Sequence, residues 1–159
     1  MPFTTDNILE HGDLEVIIGI DSALDVTPEE YQEYLQTLDE SLLKFKEGEE
    51  PSRFVMKRHV PEKHALKIED KKLSVKTDGD SVALGMSYLH LEVAATLKDI
   101  KYPDYVPEEK RIKLKFTGDG LVQSHIIEQF HSANIIKNLA TGRQNYLKKF
   151  ANPADVKKS

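Results

Sequence analysis

The residues best able to do chemistry in this chain are its histidines and the carboxylates around them. His125, Glu128 and His131 follow one another at intervals of three. Glu-x-x-His at i, i+3 is how carboxylate-bridged di-iron bundles present two ligands from one helix, but such a centre needs two copies and two further glutamates. One copy is present. On a helix its two histidines point about 120° apart, too far to share a metal easily. The run therefore reads as the polar flank of an amphipathic helix. His59 and His64 bracket a segment opened by Pro61, and with Glu62 and Asp78 they are the distant residues from which a small enzyme site could be assembled. The H-E-x-x-H pair of zinc hydrolases is absent. His90 sits in an uncharged stretch and reads as a buried neutral histidine with one hydrogen bond. Thr77-Asp78-Gly79-Asp80 and Thr117-Gly118-Asp119-Gly120 lack the alternating oxygen ligands and closing Glu of a calcium loop. Both read as turns leading into helices. There is no cysteine, no phosphate-binding glycine loop and no G-x-S-x-G. No catalytic residue, metal or cofactor is assigned, and the chain is expected not to be an enzyme.

The elements that must carry any function read as follows. Leu14–Ile20 is short and β-branched, a strand. Thr27, Pro28 and Glu30 form a capping box with Pro at the first helical position. The helix they open is read over 27–47, ending near Gly48, with Tyr31, Tyr34, Leu35, Leu38, Leu42 and Phe45 as one apolar stripe. Arg53–Arg58 is a strand, Glu62–Asp70 a short helix, and Leu73–Lys76 extended. Ser81 to Leu91 holds no charged residue, so 81–99 reads as a central core helix. Gly85 costs that helix about 1 kcal/mol relative to Ala, which suggests a close neighbour. Arg111–Phe116 alternates charged and apolar residues, the pattern of a half-exposed strand. A last helix is read over 120–140, with an interruption at Thr141-Gly142 and an amphipathic continuation to Phe150. The fold class is α+β and mainly helical, with three main helices and a small antiparallel sheet of short strands. Residues 1–13 are expected to be a flexible lead-in, 14–150 a single globular domain, and 151–159 a disordered tail.

Composition narrows the classes further. The 159 residues suit one domain, with 39% hydrophobic and 31% charged residues. No run approaches the ~20 apolar residues of a membrane span, and the acidic, Lys- and Arg-free start does not read as a signal peptide. Charge is uneven: residues 1–50 carry 14 acids against two bases, while 101–159 carry 11 bases against six acids. This asymmetry points to charges attracting within one fold, to a charged partner, or to self-association as a homo-oligomer. Lys113, Lys115, Arg143, Lys148 and Lys149 make a candidate basic patch. A net charge of −5 and a pI near 5.7 argue against nucleic acid as its target.

The helix TPEEYQEYLQTLDESLLKF, followed by Glu50, Pro51, Ser52, Arg53 and Phe54, resembles small tail-assembly chaperones of tailed bacteriophages, in which a Glu-Pro-Thr/Ser-Arg-Phe segment precedes a helical region. Gly120-Leu121 leading into IIEQFHSANIIKNL is similar to the end of such chains. The likeness covers residues 27–58 and 117–140; the strand reading at 111–116 departs from it, since such chaperones are thoroughly helical. It implies a non-catalytic protein of the host cytoplasm that binds tape-measure or tail-tube proteins. The apolar face Tyr31, Tyr34, Leu35, Leu38, Leu42, Phe45 and the basic patch would then be the contact elements. A virion structural or adaptor protein is the alternative from the same composition.

Overall fold

Acids alternating with apolar residues put Leu14 and Val16 on one face of β1 (Asp13–Val16). β1 pairs antiparallel with β2 (Arg53–Lys57), aligning Leu14 with Met56 and Val16 with Phe54. β3 (Leu97–Lys101) adds on the other side, with Phe54 opposite Ile100 and an irregularity at Val55/Met56. The inner face carries Leu14, Val16, Phe54, Met56, Leu97 and Ile100, all buried. On the outer face Lys98 reaches Asp13 at 3.0 Å and Lys101 reaches Glu15 at 2.6 Å, both across β2. The computed structural model describes residues 13–77, 81–132 and 134–151, with the side chains at 72, 74–77, 81–87, 131–132 and 150–151 outside the description. The expected lead-in and tail fall almost wholly outside these residues.

The helices are α1 (Pro28–Thr37), α2 (Glu62–Thr77), α3 (Ser81–Thr96), α4 (Ser124–Ser132) and α5 (Ile135–Ala151). The α+β class holds, with five helices among the described residues in place of three main ones. None is long and apolar enough to cross a membrane. α1 packs on α5, α2 on α3, and α5 also on α3, α4 and β1. One core cluster runs from Val16 to Ala140. Phe54 and Phe130 meet edge to face inside it, 5.7 Å apart.

Thr27 caps α1 as expected. Its hydroxyl accepts from the Glu30 N–H at 3.2 Å, and the Glu30 carboxylate accepts from the Thr27 N–H at 2.9 Å. The helix stops ten residues short of the expected boundary. Leu38 turns left-handed (φ 56) and its N–H closes on the Tyr34 carbonyl at 2.7 Å. Asp39 then caps a 3-10 turn, Glu40–Leu42, which aims Glu40 at Arg53 (2.8 and 3.2 Å) and lets Phe45 bridge Leu24. The apolar stripe is continued by a turn and a bridge, which helical periodicity alone does not distinguish from more helix.

Three other boundaries move for physical reasons. Leu73–Lys76 is helical as part of α2, a stretch free of Gly and Pro. The core helix yields to β3 at Leu97, because Leu97 and Ile100 gain Met56 and Phe54 as cross-strand partners. β3 thereby takes the place foreseen for 111–116, which forms no strand ladder and bridges only through Phe116 to Val122. The last helix is two: Asn134 (φ 61) breaks the chain between α4 and α5, using the left-handed tolerance of Asn. Gly142 does not interrupt α5. A Cβ there would meet Leu38 and Leu35 at 3.1 and 3.2 Å and Val16 at 3.4 Å, so the glycine lets α1 and β1 approach the helix closely.

A buried polar group ties α5 to the sheet and to α3. Arg143 donates to the carbonyls of Lys57 and Arg58 (3.1 and 2.8 Å) and lies 3.8 Å from Glu92. Both are nearly fully buried, and the Gln144 amide closes on both Glu92 oxygens at 3.2 and 2.9 Å. Burial lowers the Arg143 pKa and Glu92 opposes that shift.

Two outcomes are expected. Arg143→Ala strands Glu92 and two carbonyls and should lower the unfolding free energy by about 3–5 kcal/mol in urea titration. The Thr27 hydrogen bonds hold the Glu30 carboxyl below its ordinary pKa. The cap's contribution is therefore complete above the ordinary carboxylate value and lost as pH falls through the folded one. A carboxyl-carbon NMR titration should show Glu30 titrating low, and near the ordinary value in Thr27→Ala.

Candidate interaction surface

The apolar stripe expected to grip a partner is largely inside the molecule. Tyr31, Tyr34 and Leu35 are buried, and Leu38 and Phe45 are half-buried against the core. Leu42, at 39% exposure, is the stripe's one outward member. This corrects the docking role given to that face: α5 covers it, with Gly142 drawing the two helices together. The basic patch also loses a member. Lys113, Lys115, Lys148 and Lys149 are exposed, whereas Arg143 is 5% exposed and held by Glu92 and two carbonyls.

The histidines do not converge. His125 and Glu128 are exposed on α4 and the His131 side chain lies outside the described residues. His59 and Glu62 are exposed, and Asp78 lies outside the description. The buried histidine is His64, with His90 only half-buried. His64 Nε2 pairs with the Asp119 carbonyl at 2.9 Å, while Nδ1 is buried with no partner among the described residues. That contact fastens α2 to the 117–120 turn, which closes a hairpin through Thr117 N–H to Leu121 carbonyl (2.7 Å) before α4 begins. His90, Lys71 and Glu128 line a cleft of about 360 Å³ with an apolar wall of Leu91, Ala94 and Ile127. Among the described residues no group of three or more His, Asp or Glu side chains is placed to hold a metal ion.

A different strip combines exposed apolar and basic groups. Arg111–Phe116 lies along a groove of about 300 Å³ whose other wall is Lys98, Asp99, Ile100 and Tyr102. Ile112 and Phe116 are 37% and 43% exposed, unusual for such side chains in a clustered position. The strip is held from behind. Arg111 donates to the carbonyls of Val106 (3.0 Å) and Pro103 (3.1 Å), and its guanidinium lies 5.8 Å from the Tyr102 ring centroid. The Tyr102 hydroxyl accepts from the Ile112 N–H at 2.9 Å. Tyr105, itself exposed, exchanges two hydrogen bonds with the Glu50 backbone (2.8 and 3.0 Å) and so anchors the loop to the turn before β2.

Sequence reasoning placed Lys113 and Lys115 here but missed the bracing role of Arg111 and the edge position of β3. The available signal was Arg111 next to a Pro-flanked loop whose carbonyls have no ladder to join, which is where a five-donor side chain is useful. Arg111→Ala should free the 103–106 loop. Its backbone amides should exchange with deuterium at least about tenfold faster while the core is unchanged, as expected when a local opening loses roughly 1.4 kcal/mol or more. No protein-family model, curated protein or solved structure matches the chain.

Proposed function

We propose that this chain is a non-catalytic protein-binding module that serves the assembly of a larger particle, in the manner of a phage tail-assembly chaperone engaging a tape-measure or tail-tube protein in the host cytoplasm. The observation that supports a protein-binding role is the strip at 111–116. Apolar Ile112 and Phe116 are kept in solvent beside Lys113 and Lys115, on a segment braced by Arg111 and Tyr102. Exposed apolar side chains rimmed by charge are a common form of protein contact site. The tail-assembly part of the reading is supported by the sequence resemblance over 27–58 and 117–140. The acid-rich first third remains available to a basic partner, with Glu29, Glu33, Glu47 and Glu50 exposed.

Co-expression with the tape-measure and tube proteins of the same phage, followed by affinity purification, tests this. A stoichiometric complex with one of them is expected, weakened by Lys113→Glu/Lys115→Glu. Recovery of neither protein contradicts the reading.

A further inference from the structure

We propose that the groove between β3 and residues 111–116 receives an extended, acidic segment of a partner protein, which adds to the sheet as a fourth strand. This rests on the protein-binding reading above and names how the partner is held.

The backbone supplies the first argument. β3 is an edge strand, paired with β2 on one side. On its other side no backbone hydrogen bond reaches it from the described residues. Facing the groove, residues 112–114 belong to no helix or strand ladder, and the Ile112 N–H is taken by the Tyr102 hydroxyl. Lys115 keeps one bond, its carbonyl accepting from Gln123 at 2.9 Å. An open edge of this kind is a template for an incoming strand, whose main chain gives affinity while alternate side chains enter pockets.

The edge is guarded by one replaceable contact. The Asp99 carboxylate accepts from the Ile100 N–H at 2.8 Å, a side-chain cap on a backbone donor of this strand. A side-chain cap on an edge amide blocks unwanted pairing, yet a partner carbonyl can replace it without breaking any core contact.

Charge selects the occupant. Lys98, Arg111 and Lys113 line the groove against Asp99 and Glu108, and the exposed Lys110 and Lys115 flank it in the chain beside Glu109, an excess of bases along this segment on a chain whose net charge is −5. The Lys113–Glu108 pair is 3.4 Å apart with both side chains 74% exposed, so it competes weakly with an incoming carboxylate. Ile112, Leu114 and Phe116 give the groove apolar lining between these bases. A strand alternating acidic and apolar residues fits both features.

The test is selection of a random-peptide display library on the full chain, with the enriched sequences resynthesised and titrated against the full chain and two variants. The proposal expects peptides that alternate acidic and apolar residues. It expects affinity to fall about tenfold or more on Lys113→Glu/Lys115→Glu, where two exposed charges are reversed. Asp99→Ala, which frees the Ile100 N–H and removes a repelling carboxylate, should tighten binding. Bound peptide should slow deuterium exchange at Ile100 and at 112–114. Enriched peptides that bind all variants equally and protect amides elsewhere overturn strand addition and leave the protein-binding reading standing. A library that yields no enriched peptide overturns both.

Discussion

Ile17 sets the constraint on which the rest of this fold depends. It is the first residue past the β1 ladder and is fully buried, so its N–H and carbonyl have neither strand partner nor water. Leaving either unpaired would cost about 1–3 kcal/mol. Two tyrosines of one helix meet both needs: the Tyr34 hydroxyl accepts from the Ile17 N–H at 2.9 Å, and the Tyr31 hydroxyl donates to its carbonyl at 2.7 Å. Burial drives both hydroxyls above the ordinary tyrosine pKa, so they stay neutral donors and acceptors across the physiological range. α1 is thereby locked on the end of β1. Asn138 of α5 joins the clamp by accepting from Gly19 N–H at 2.9 Å. A Cβ at Gly19 would lie 3.0 Å from the Tyr31 ring and 3.3 Å from the Asn138 amide oxygen, so a side chain there would press on both.

The clamp decides which surfaces are left for function. Once Tyr31 and Tyr34 are committed inward, the amphipathic face of α1 becomes core, and α5 closes over it at Gly142. The chain has then used this apolar helix face for its own folding. What stays open lies across the sheet, where β3 ends the ladder and the 111–116 segment runs beside it. The helices and the inner sheet face thus hold the molecule together, which leaves the β3 edge and the 111–116 segment for the partner contact proposed above.

Local signals in the sequence were reliable where the structure is decided locally. The Thr27–Glu30 box and the Arg53–Lys57 strand depend on neighbours a few residues away, whereas of the strand read over Leu14–Ile20 only Leu14–Val16 joins the ladder, and the β-branched Ile17–Ile20 run lies past it. The period-2 pattern of RIKLKF reads as a strand, which the structure does not form; ladder membership depends on which segment reaches the β2 edge first in space, and LKDIK follows directly from a helix that delivers it there. The left-handed turn at Leu38 carries no glycine and so no signal. Arg143 looked like a surface base because its acidic partner, Glu92, lies 51 positions away in an apparently apolar helix. The apolar stripe of α1 was legible as amphipathic, yet periodicity does not say whether a face is covered by the same chain or by another. That depends on the clamp at Ile17, which couples residues 14 to 17 positions apart through side-chain hydroxyls.

Residue-resolved hydrogen–deuterium exchange on the isolated chain tests this division most directly. The account predicts that the Ile17 amide and those of Tyr34, Leu35 and Leu139 are among the slowest to exchange, while those of Lys113 and Leu114 exchange rapidly. Fast exchange at Ile17 and throughout α1, with slow exchange at Lys113 and Leu114, would mean that the helix face is open and the strip is closed, and would contradict it.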